Sequence, residues 1–191
     1  MKIIIKNRYQ NGVITMRKII IYGSKYGTTE RYATELSRRT GINAYRYNAL
    51  KDLSEYDVII YLGGLYAGGV LGLSSTVKLM PAKQMQRLLI ITVGLADPKD
   101  KTNTDSIKYS IEKQVPKHIY DRAEIFHLRG GIDYQTLNLK HKAMMKLMYI
   151  KDIKTPPEKQ TKDTKEFIET YNKKIDFVDF DSLNRIMERL S

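Results

Sequence analysis

The chain has 191 residues, the usual size of one domain with a buried core, and its 42% hydrophobic and 28% charged residues are typical of a soluble globular protein. It contains no Cys, so disulfides, thiol nucleophiles and thiolate metal sites are excluded. The formal net charge of +12 indicates either solvated basic faces or an anionic partner: nucleic acid, an anionic membrane or a carboxylate-bearing substrate.

The N-terminus carries two candidate starts, Met1 and Met16. We expect residues 1–15 to be an extension, with Met16 as the native start and residues 16–191 as a single domain. The alternative is a short N-terminal strand at residues 2–6, followed by a turn at Asn11-Gly12. No apolar run is long enough to span a bilayer or to serve as a signal peptide, so we expect a cytoplasmic protein.

From Arg17 onward, short apolar runs alternate with helical patterns. Because the strands lack clean polar alternation, the order predicts an α/β fold with a parallel sheet covered on both faces. Ligands of such sheets bind outside the carboxyl ends of the strands. The predicted strands are residues 18–22, 43–47, 57–62, 87–93 and 123–128, and the predicted helices are 29–39, 73–80, 104–114, 139–149, 162–174 and 182–190.

The junction between the first strand and the first helix is rich in small and hydroxyl residues: Gly23, Ser24, Gly27, Thr28 and Thr29. Hydroxyls and backbone N–H groups at a helix N-terminus suit a terminal phosphate, because they donate hydrogen bonds and the helix dipole favours negative charge. A monophosphate is the natural size match. The structural alternative is a capped turn with Ser24 or Thr28 as the N-cap.

Other phosphate-binding and nucleophilic motifs do not match this chain. A Walker loop needs Lys after its second Gly, where this sequence has Thr28, and the dinucleotide fingerprint needs three spaced glycines. Phosphatase loops need a Cys nucleophile, and the "GLSST" stretch lacks the closing Gly of a nucleophile elbow. His118, His127 and His141 match no metal spacing. We therefore predict no catalytic side chain and no metal site.

The same junction resembles the flavodoxin signature at every restricted position: Ile20, Ile21, Tyr22, Ser24, Gly27, Thr29 and Ala33. The resemblance extends over most of residues 17–190 and is strongest to the flavodoxin-like proteins related to menaquinone-dependent protoporphyrinogen dehydrogenases. It implies a flavodoxin-like three-layer αβα sandwich, with a five-stranded parallel sheet of order 2-1-3-4-5 and an insertion after the fifth strand.

The resemblance also implies bound FMN, with its phosphate on the first loop and its ring between the loops after the third and fourth strands. An aromatic side chain such as Tyr66 can stack on the ring, although a buried or interface tyrosine is the alternative. The implied cofactor contacts are Ser24, Lys25, Tyr26, Gly27, Thr28 and Thr29 on the first loop, Gly63, Gly64, Leu65, Tyr66, Ala67 and Gly68 after the third strand, and Gly94, Leu95, Ala96 and Asp97 after the fourth.

After the fifth strand, "LRGGIDYQTLNLKHKAMMKLMYIKD" adds a loop and a methionine-rich helix to the ordinary flavodoxin pattern. An apolar side flanked by lysines suits a membrane surface, a partner or the cover of a hydrophobic substrate, and packing on the domain is the alternative. We expect peripheral membrane contact through residues 137–151, at the inner face of the membrane. Porphyrin propionates would depend on Arg129 and the lysines beyond it.

We weigh these features against three classes of function. The leading hypothesis is an FMN-dependent oxidoreductase of the protoporphyrinogen dehydrogenase type, passing electrons from a hydrophobic or anionic substrate to a quinone. The alternative is a non-enzymatic flavodoxin-type carrier with a protein redox partner, and +12 disfavours it because carriers of this fold are commonly acidic. A nucleic-acid-binding module is not expected, because no recognised motif accompanies the charge.

Overall fold

The computed structural model describes residues 9–10, 13–14, 16–66, 68–81 and 86–190. The strands are β1 Tyr9–Gln10, β2 Val13–Ile14, β3 Lys18–Gly23, β4 Ala44–Arg46, β5 Val58–Tyr66, β6 Gly69–Val70, β7 Arg87–Gly94, β8 Glu124–Arg129, β9 Gly131–Asp133 and β10 Lys174–Asp176. The helices are α1 Thr28–Thr40, α2 Leu73–Val77, α3 Lys101–Glu112, α4 Lys117–Tyr120, α5 Leu139–Ile153, α6 Lys162–Thr170 and α7 Asn184–Glu188, with 3₁₀ turns at Pro157–Lys159 and Phe180–Leu183.

The central sheet has the parallel order β4-β3-β5-β7-β8. In the numbering of the five predicted strands this order is 2-1-3-4-5, which confirms the expected topology. The register pairs Ile20 of β3 with Ala44 of β4 on one side and with Ile60 of β5 on the other. This arrangement places the carboxyl ends of β3, β5 and β7 side by side.

The two faces of the sheet bury separate apolar cores, because successive side chains of a strand point to opposite faces. Ile20 packs with α1 and α7 in one core, whereas Ile19 and Ile21 pack with α2 and α3 in the other. All three isoleucines are fully buried. The three-layer α/β architecture is therefore confirmed.

The Gly41 backbone ends the first helix, and the Tyr32 side chain fixes the helix on the sheet. Gly41 ends α1 in the left-handed region at φ 73° and donates its N–H to the Ser37 carbonyl, an arrangement common for a glycine at a helix C-terminus. Tyr32 is fully buried, and its hydroxyl donates to the Arg129 carbonyl at 2.8 Å while accepting from the Asp179 N–H at 2.9 Å. α1 is thus fixed to the ends of the strands that precede and follow the insertion.

Several elements differ from the sequence prediction. The predicted helix at 73–80 shortens to α2, and the predicted helix at 182–190 divides into a 3₁₀ turn and α7. The strand predicted to end at Leu62 continues to Tyr66 and folds back through Gly68, at φ 79°, into β6. Backbone pairing between Leu65 and Val70 stabilises this hairpin in place of a loop. The N-terminal strand proposed for residues 2–6 lies outside the described residues, while β1 and β2 pair antiparallel on either side of Asn11-Gly12.

The insertion comprises residues 130–153 and holds β9 and α5. β9 pairs antiparallel with β10, and this pairing ties the start of the insertion to the segment that leads into α7. The far end of α5 packs on α6, where Tyr149 stacks on Tyr171 with ring centroids 4.1 Å apart. Within the described ranges, no helix is both long and apolar enough to cross a membrane.

Candidate functional site

A cavity of about 250 Å³ lies at the carboxyl ends of β3, β5 and β7, beside the first turn of α1. This is the edge at which open α/β sheets bind ligands. The structure brings many of the predicted cofactor contacts together there. Those that line the cavity are Ser24, Lys25, Tyr26, Thr28, Thr29, Gly64, Leu65, Tyr66, Gly94 and Leu95.

The first loop enters α1 without a side-chain cap. Gly27 is the N-cap residue, with φ 88° and ψ −23°, and no side chain of the described residues caps the helix. Ser24 instead accepts a hydrogen bond from the Gly27 N–H at 3.1 Å, inside the loop. The capped-turn alternative is therefore not the arrangement observed, and the amides of the first helical turn are left for another acceptor.

Two of the loop hydroxyls are buried at the edge of the cavity. Ser24 is 7% exposed and Thr29 is 3% exposed. A Cβ added at Gly64 would lie 3.1 Å from the Thr29 Oγ1, so the glycine lets β5 approach this hydroxyl closely. Thr28 turns toward the insertion, where its Oγ1 donates to the Gly131 carbonyl at 3.3 Å.

Positive charge surrounds the first loop. Lys25 lies in the loop itself, and Arg46, at the end of β4, donates from its guanidinium to the Ser24 carbonyl at 2.8 Å. Sequence reasoning did not assign Arg46 to the site. A signal for Arg46 was available in the sequence: it lies at the end of the second predicted strand, next to the first strand in the expected order. Hydroxyls, helix amides and two cations make this end of the cavity suited to a phosphate.

A loop was expected from the sequence after the third predicted strand. The structure instead has the end of β5 there. Gly63, Gly64, Leu65 and Tyr66 are all strand residues, and Gly64, Leu65 and Tyr66 line the cavity. Gly63 faces the other side, where an added Cβ would lie 2.2 Å from the Val70 Cγ1. Gly68 forms the turn into β6, and Ala67 lies outside the described residues.

At the end of β7, Gly94 and Leu95 line the cavity, whereas Ala96 and Asp97 are not among its described lining residues. Asp97 shapes the turn into α3: its Oδ1 accepts the Lys99 N–H at 3.0 Å, and its carbonyl accepts from the Asn103 side chain at 3.1 Å. The Lys99 N–H and the nearby Lys162 ammonium hold the pKa of the Asp97 carboxyl below its usual range. Asp97 is thus a turn residue in this structure.

The insertion supplies a wall of the cavity that sequence reasoning did not assign. Its lining residues are Gly130, Gly131, Ile132, Leu137, His141, Met144 and Met145. His141 is 4% exposed and contacts tyrosines from two other elements. Its Nδ1 is hydrogen-bonded to the Tyr26 hydroxyl, and its Nε2 lies 2.6 Å from the Tyr66 hydroxyl. Nothing in the local sequence around His141 signals these contacts, which join residues 115 and 75 positions apart.

Arg129, expected to be available to an anionic substrate, is held by neighbouring groups. Its guanidinium donates to the Leu95 carbonyl at 2.9 and 3.1 Å and to the Glu166 carboxylate at 2.7 Å, and it lies over the Phe177 ring at 3.7 Å. These contacts direct its donors into the protein. Arg129 therefore positions the Leu95 wall of the cavity.

The residues present fit a flavin mononucleotide. The first loop offers hydroxyl and amide donors to a phosphate, while Leu65, Leu95, Met144 and Met145 offer apolar contacts to a ring system. A metal centre has no comparable support: across the described ranges, no group of three His, Asp or Glu side chains could hold a metal ion.

Comparison with known families assigns the domain. The family model of the flavodoxin domain matches residues 19–160, more than half of the chain. The chain belongs to the flavodoxin family. The matched residues run from β3 through α5 and include both the first loop and the insertion wall of the cavity.

Similar solved structures include two candidate flavoproteins. One, from Bacteroides uniformis, is 13% identical with a TM-score of 0.45, covering 60% of this chain and 91% of that chain. The other, from Bacteroides eggerthii, is 11% identical with a TM-score of 0.43, covering 59% and 86%. The flavodoxin, WrbA-like protein from Agrobacterium tumefaciens is 19% identical with a TM-score of 0.37, covering 58% and 82%. No curated protein matches the chain.

Proposed function

We propose that this flavodoxin-family chain binds FMN and transfers electrons between a hydrophobic or anionic substrate and a quinone. The observation that carries the proposal is the first turn of α1, which has no side-chain cap and meets the cavity beside two buried hydroxyls. An N-terminus of this kind favours a phosphate through its amides and its dipole. FMN, when bound, supplies the capacity to accept and release electrons.

The chain's own residues divide the cavity into two functional ends. At the first loop, Ser24 and Thr29 would donate hydroxyls to the phosphate, while Lys25 and Arg46 would offset its negative charge. At the other end, Leu65 and the insertion methionines would contact the ring and exclude water. No acid or base is needed on the protein for this role, because the flavin carries the redox chemistry.

The experiment that tests this assignment compares FMN with riboflavin, which lacks the phosphate. Titrations followed by flavin fluorescence measure both dissociation constants on the same protein. Hydrogen bonds to a charged group contribute about 1.5–3 kcal/mol each, so we expect FMN to bind at least about 100-fold more tightly. Equal affinities would contradict a phosphate site at the first loop.

The finer proposal is activity of the protoporphyrinogen dehydrogenase type. Its support is the apolar insertion wall next to the ring end of the cavity and the basic surface of the chain. The Arg129 guanidinium is hydrogen-bonded to Leu95 and Glu166, so the lysines of α5 would have to bind the propionates. We expect FMN-loaded protein to oxidise a porphyrinogen anaerobically with a menaquinone analogue as acceptor. Failure to oxidise any porphyrinogen under those conditions would remove this substrate.

The alternative function is a carrier without a substrate of its own. A carrier would pass electrons from a reductase to an acceptor protein without turning over a small molecule. The net charge of +12 requires that its docking partners be acidic, the reverse of the pairing common for this fold. Turnover with purified reductases and acceptors distinguishes the two functions.

We also propose that the outward side of α5 contacts an anionic membrane surface. Leu139 is 85% exposed and Leu147 is 68% exposed, although both are large apolar residues. Lysines flank these apolar positions on both sides of the helix: Lys140, Lys142, Lys146 and Lys151. An exposed apolar strip flanked by cations suits the boundary between acyl chains and anionic headgroups.

A further inference from the structure

One side chain of the insertion wall, His141, joins α5 to two other elements that line the cavity. α5 carries His141 in its first turn, and the imidazole points inward with 4% exposure. The Asn138 side chain caps the helix by accepting the His141 N–H at 2.9 Å. The backbone of His141 therefore fixes the start of the helix, and its ring remains available to the rest of the site.

Both ring nitrogens are hydrogen-bonded to phenols that line the cavity from two different elements. Tyr26 belongs to the first loop and Tyr66 to the end of β5, so the two partners lie on separate elements. The ring of Tyr66 also meets the imidazole edge to face, with centroids 5.1 Å apart. We call these three residues, Tyr26, His141 and Tyr66, the His141 bridge.

A neutral imidazole can satisfy both phenols at once. One ring nitrogen donates and the other accepts, while a phenol hydroxyl can do either. Both hydrogen bonds are made at a buried imidazole, and separation of α5 exchanges them for hydrogen bonds to water at a net cost in free energy. The His141 bridge therefore resists separation of α5 from the first loop and from β5.

The position of α5 along the cavity gives this bridge a consequence. Met144 and Met145 follow His141 on the same helix and also line the cavity. Entry or exit of a ligand past this wall therefore needs an outward movement of the first turns of α5, which breaks the His141 bridge, and the bridge re-forms once α5 returns.

We propose that His141 is a positioning residue of the cofactor site that controls binding and release of the ligand by holding α5 across the cavity. This inference rests on the function proposed above. The far end of α5 stays attached through the stacked pair of Tyr149 and Tyr171. Opening is therefore a movement of the first turns of α5, with the Tyr149 end as the fixed point.

The kinetic signature of such a residue differs from that of a merely structural one. A bridge that closes both the free and the loaded site raises the barrier for binding and release together. Removing it should raise both rate constants by a similar factor and leave the dissociation constant nearly unchanged. A side chain that only stabilises the bound state would change the release rate alone.

The test uses the full chain with FMN as the probe and stopped-flow flavin fluorescence as the readout. We expect His141→Ala to raise the binding and release rates about 20-fold each, and Tyr26→Phe and Tyr66→Phe to raise them about 5-fold. His141→Gln should lower both FMN rate constants part of the way back toward those of the unaltered chain, because a side-chain amide can both donate and accept a hydrogen bond. His118→Ala, at an exposed histidine of α4, is the matched control and should change neither rate.

A second measurement keeps this inference separate from the identity of the cofactor. Amide hydrogen exchange of the ligand-free protein reports opening of the first turns of α5 directly. We expect His141→Ala to accelerate exchange there and not in α1. If the unaltered chain takes up no FMN, the proposed function fails and hydrogen exchange alone decides the role of His141. Unchanged exchange in α5, or FMN rates equal to those of the unaltered chain, would overturn the role assigned to His141.

Discussion

The first loop, residues 24–29, and the insertion, residues 130–153, line the same cavity by different means. The first loop brings together groups that are close in the sequence: backbone amides of one helix turn, two hydroxyls and a glycine at φ 88°. The insertion acts through distant contacts, with His141 meeting Tyr26 and Tyr66 from elsewhere in the chain. We propose the first region as a phosphate site and the second as an apolar wall that moves.

This difference separates what each region should control. Changes in the first loop should alter how tightly a phosphorylated ligand binds, because they remove hydrogen bonds made only to the phosphate. Changes in the insertion should alter rates, surface contacts and local stability. Three predictions test this division and a fourth concerns a residue outside both regions, in order from the largest expected free-energy effect to the smallest.

The largest effect is expected from removing the two buried hydroxyls of the first loop. Ser24→Ala with Thr29→Val should weaken FMN binding about 100-fold, near 3 kcal/mol, because two hydrogen bonds to a charged phosphate are lost. Riboflavin affinity should stay unchanged, since riboflavin has no phosphate. Titration of both flavins measures the effect, with Thr102→Val and Ser106→Ala on exposed positions of α3 as the control. An equal loss for both flavins would mean that the hydroxyls only shape the loop.

The next effect concerns the outward side of the insertion. Leu139→Ala with Leu147→Ala should reduce binding to vesicles containing anionic lipid about 30-fold, close to 2 kcal/mol, because burial of two leucine side chains in the interface is lost. Vesicle co-sedimentation measures the partition. Tyr109→Ala removes an exposed aromatic residue from α3 and should leave binding unchanged. Binding that is equal on neutral and anionic vesicles would contradict a contact guided by the lysines.

A smaller effect is expected at the fixed end of α5. Tyr149→Ala removes the ring stacked on Tyr171 at 4.1 Å and should lower the free energy of unfolding by about 1.5 kcal/mol. Urea denaturation measures this change. Tyr45→Ala, at a 39% exposed position of β4, should cost much less. Equal costs for the two variants would show that the stack does not hold the insertion to the domain.

The smallest effect is a pH dependence of the free energy of unfolding, and it comes from His127, which lies outside both regions. Burial, reinforced by the positive charge of Lys108, lowers the pKa of His127. Below the usual histidine pKa of about 6.5, the unfolded chain binds a proton that the folded chain does not, so the free energy of unfolding should fall as the pH falls through that range.

Urea denaturation between about pH 7.5 and 5.5 measures this slope. The His127 Nδ1 lies 2.8 Å from the Thr92 Oγ1, so His127→Gln keeps a polar group there and should flatten the slope. His118→Gln is the exposed control. A slope that survives in His127→Gln would assign the pH dependence to other groups.

Local sequence was sufficient to predict the sheet and to bring the first loop to the cavity. The apolar run of β3 is itself a local pattern, and Ser24 and Gly41 contact groups three and four residues away, so the local sequence was enough to predict these elements. The strand order also followed from the resemblance that the first loop carries. The expected roles of Ser24, Thr29 and the other cofactor contacts stay predictions until a flavin is bound.

Contacts between distant parts of the chain explain what the sequence did not predict. The glycine-rich stretch after Leu62 suggested a loop, but pairing with β6 extends β5 to Tyr66. Arg129 looked available until the structure placed it against Leu95 and Glu166. His141 carried no local signal, because its partners lie on the first loop and on β5. In all three cases, contacts that the local sequence pattern does not show determine the structure.

The most direct test of the central claim is the visible absorption spectrum of the purified protein, with identification of the chromophore released on denaturation. Colourless protein is incubated with FMN, freed of excess ligand and measured in the same way. We predict a flavin spectrum and one FMN released per chain. Protein that carries no flavin and retains none after incubation would contradict the assignment of residues 24–29 as a phosphate site for FMN.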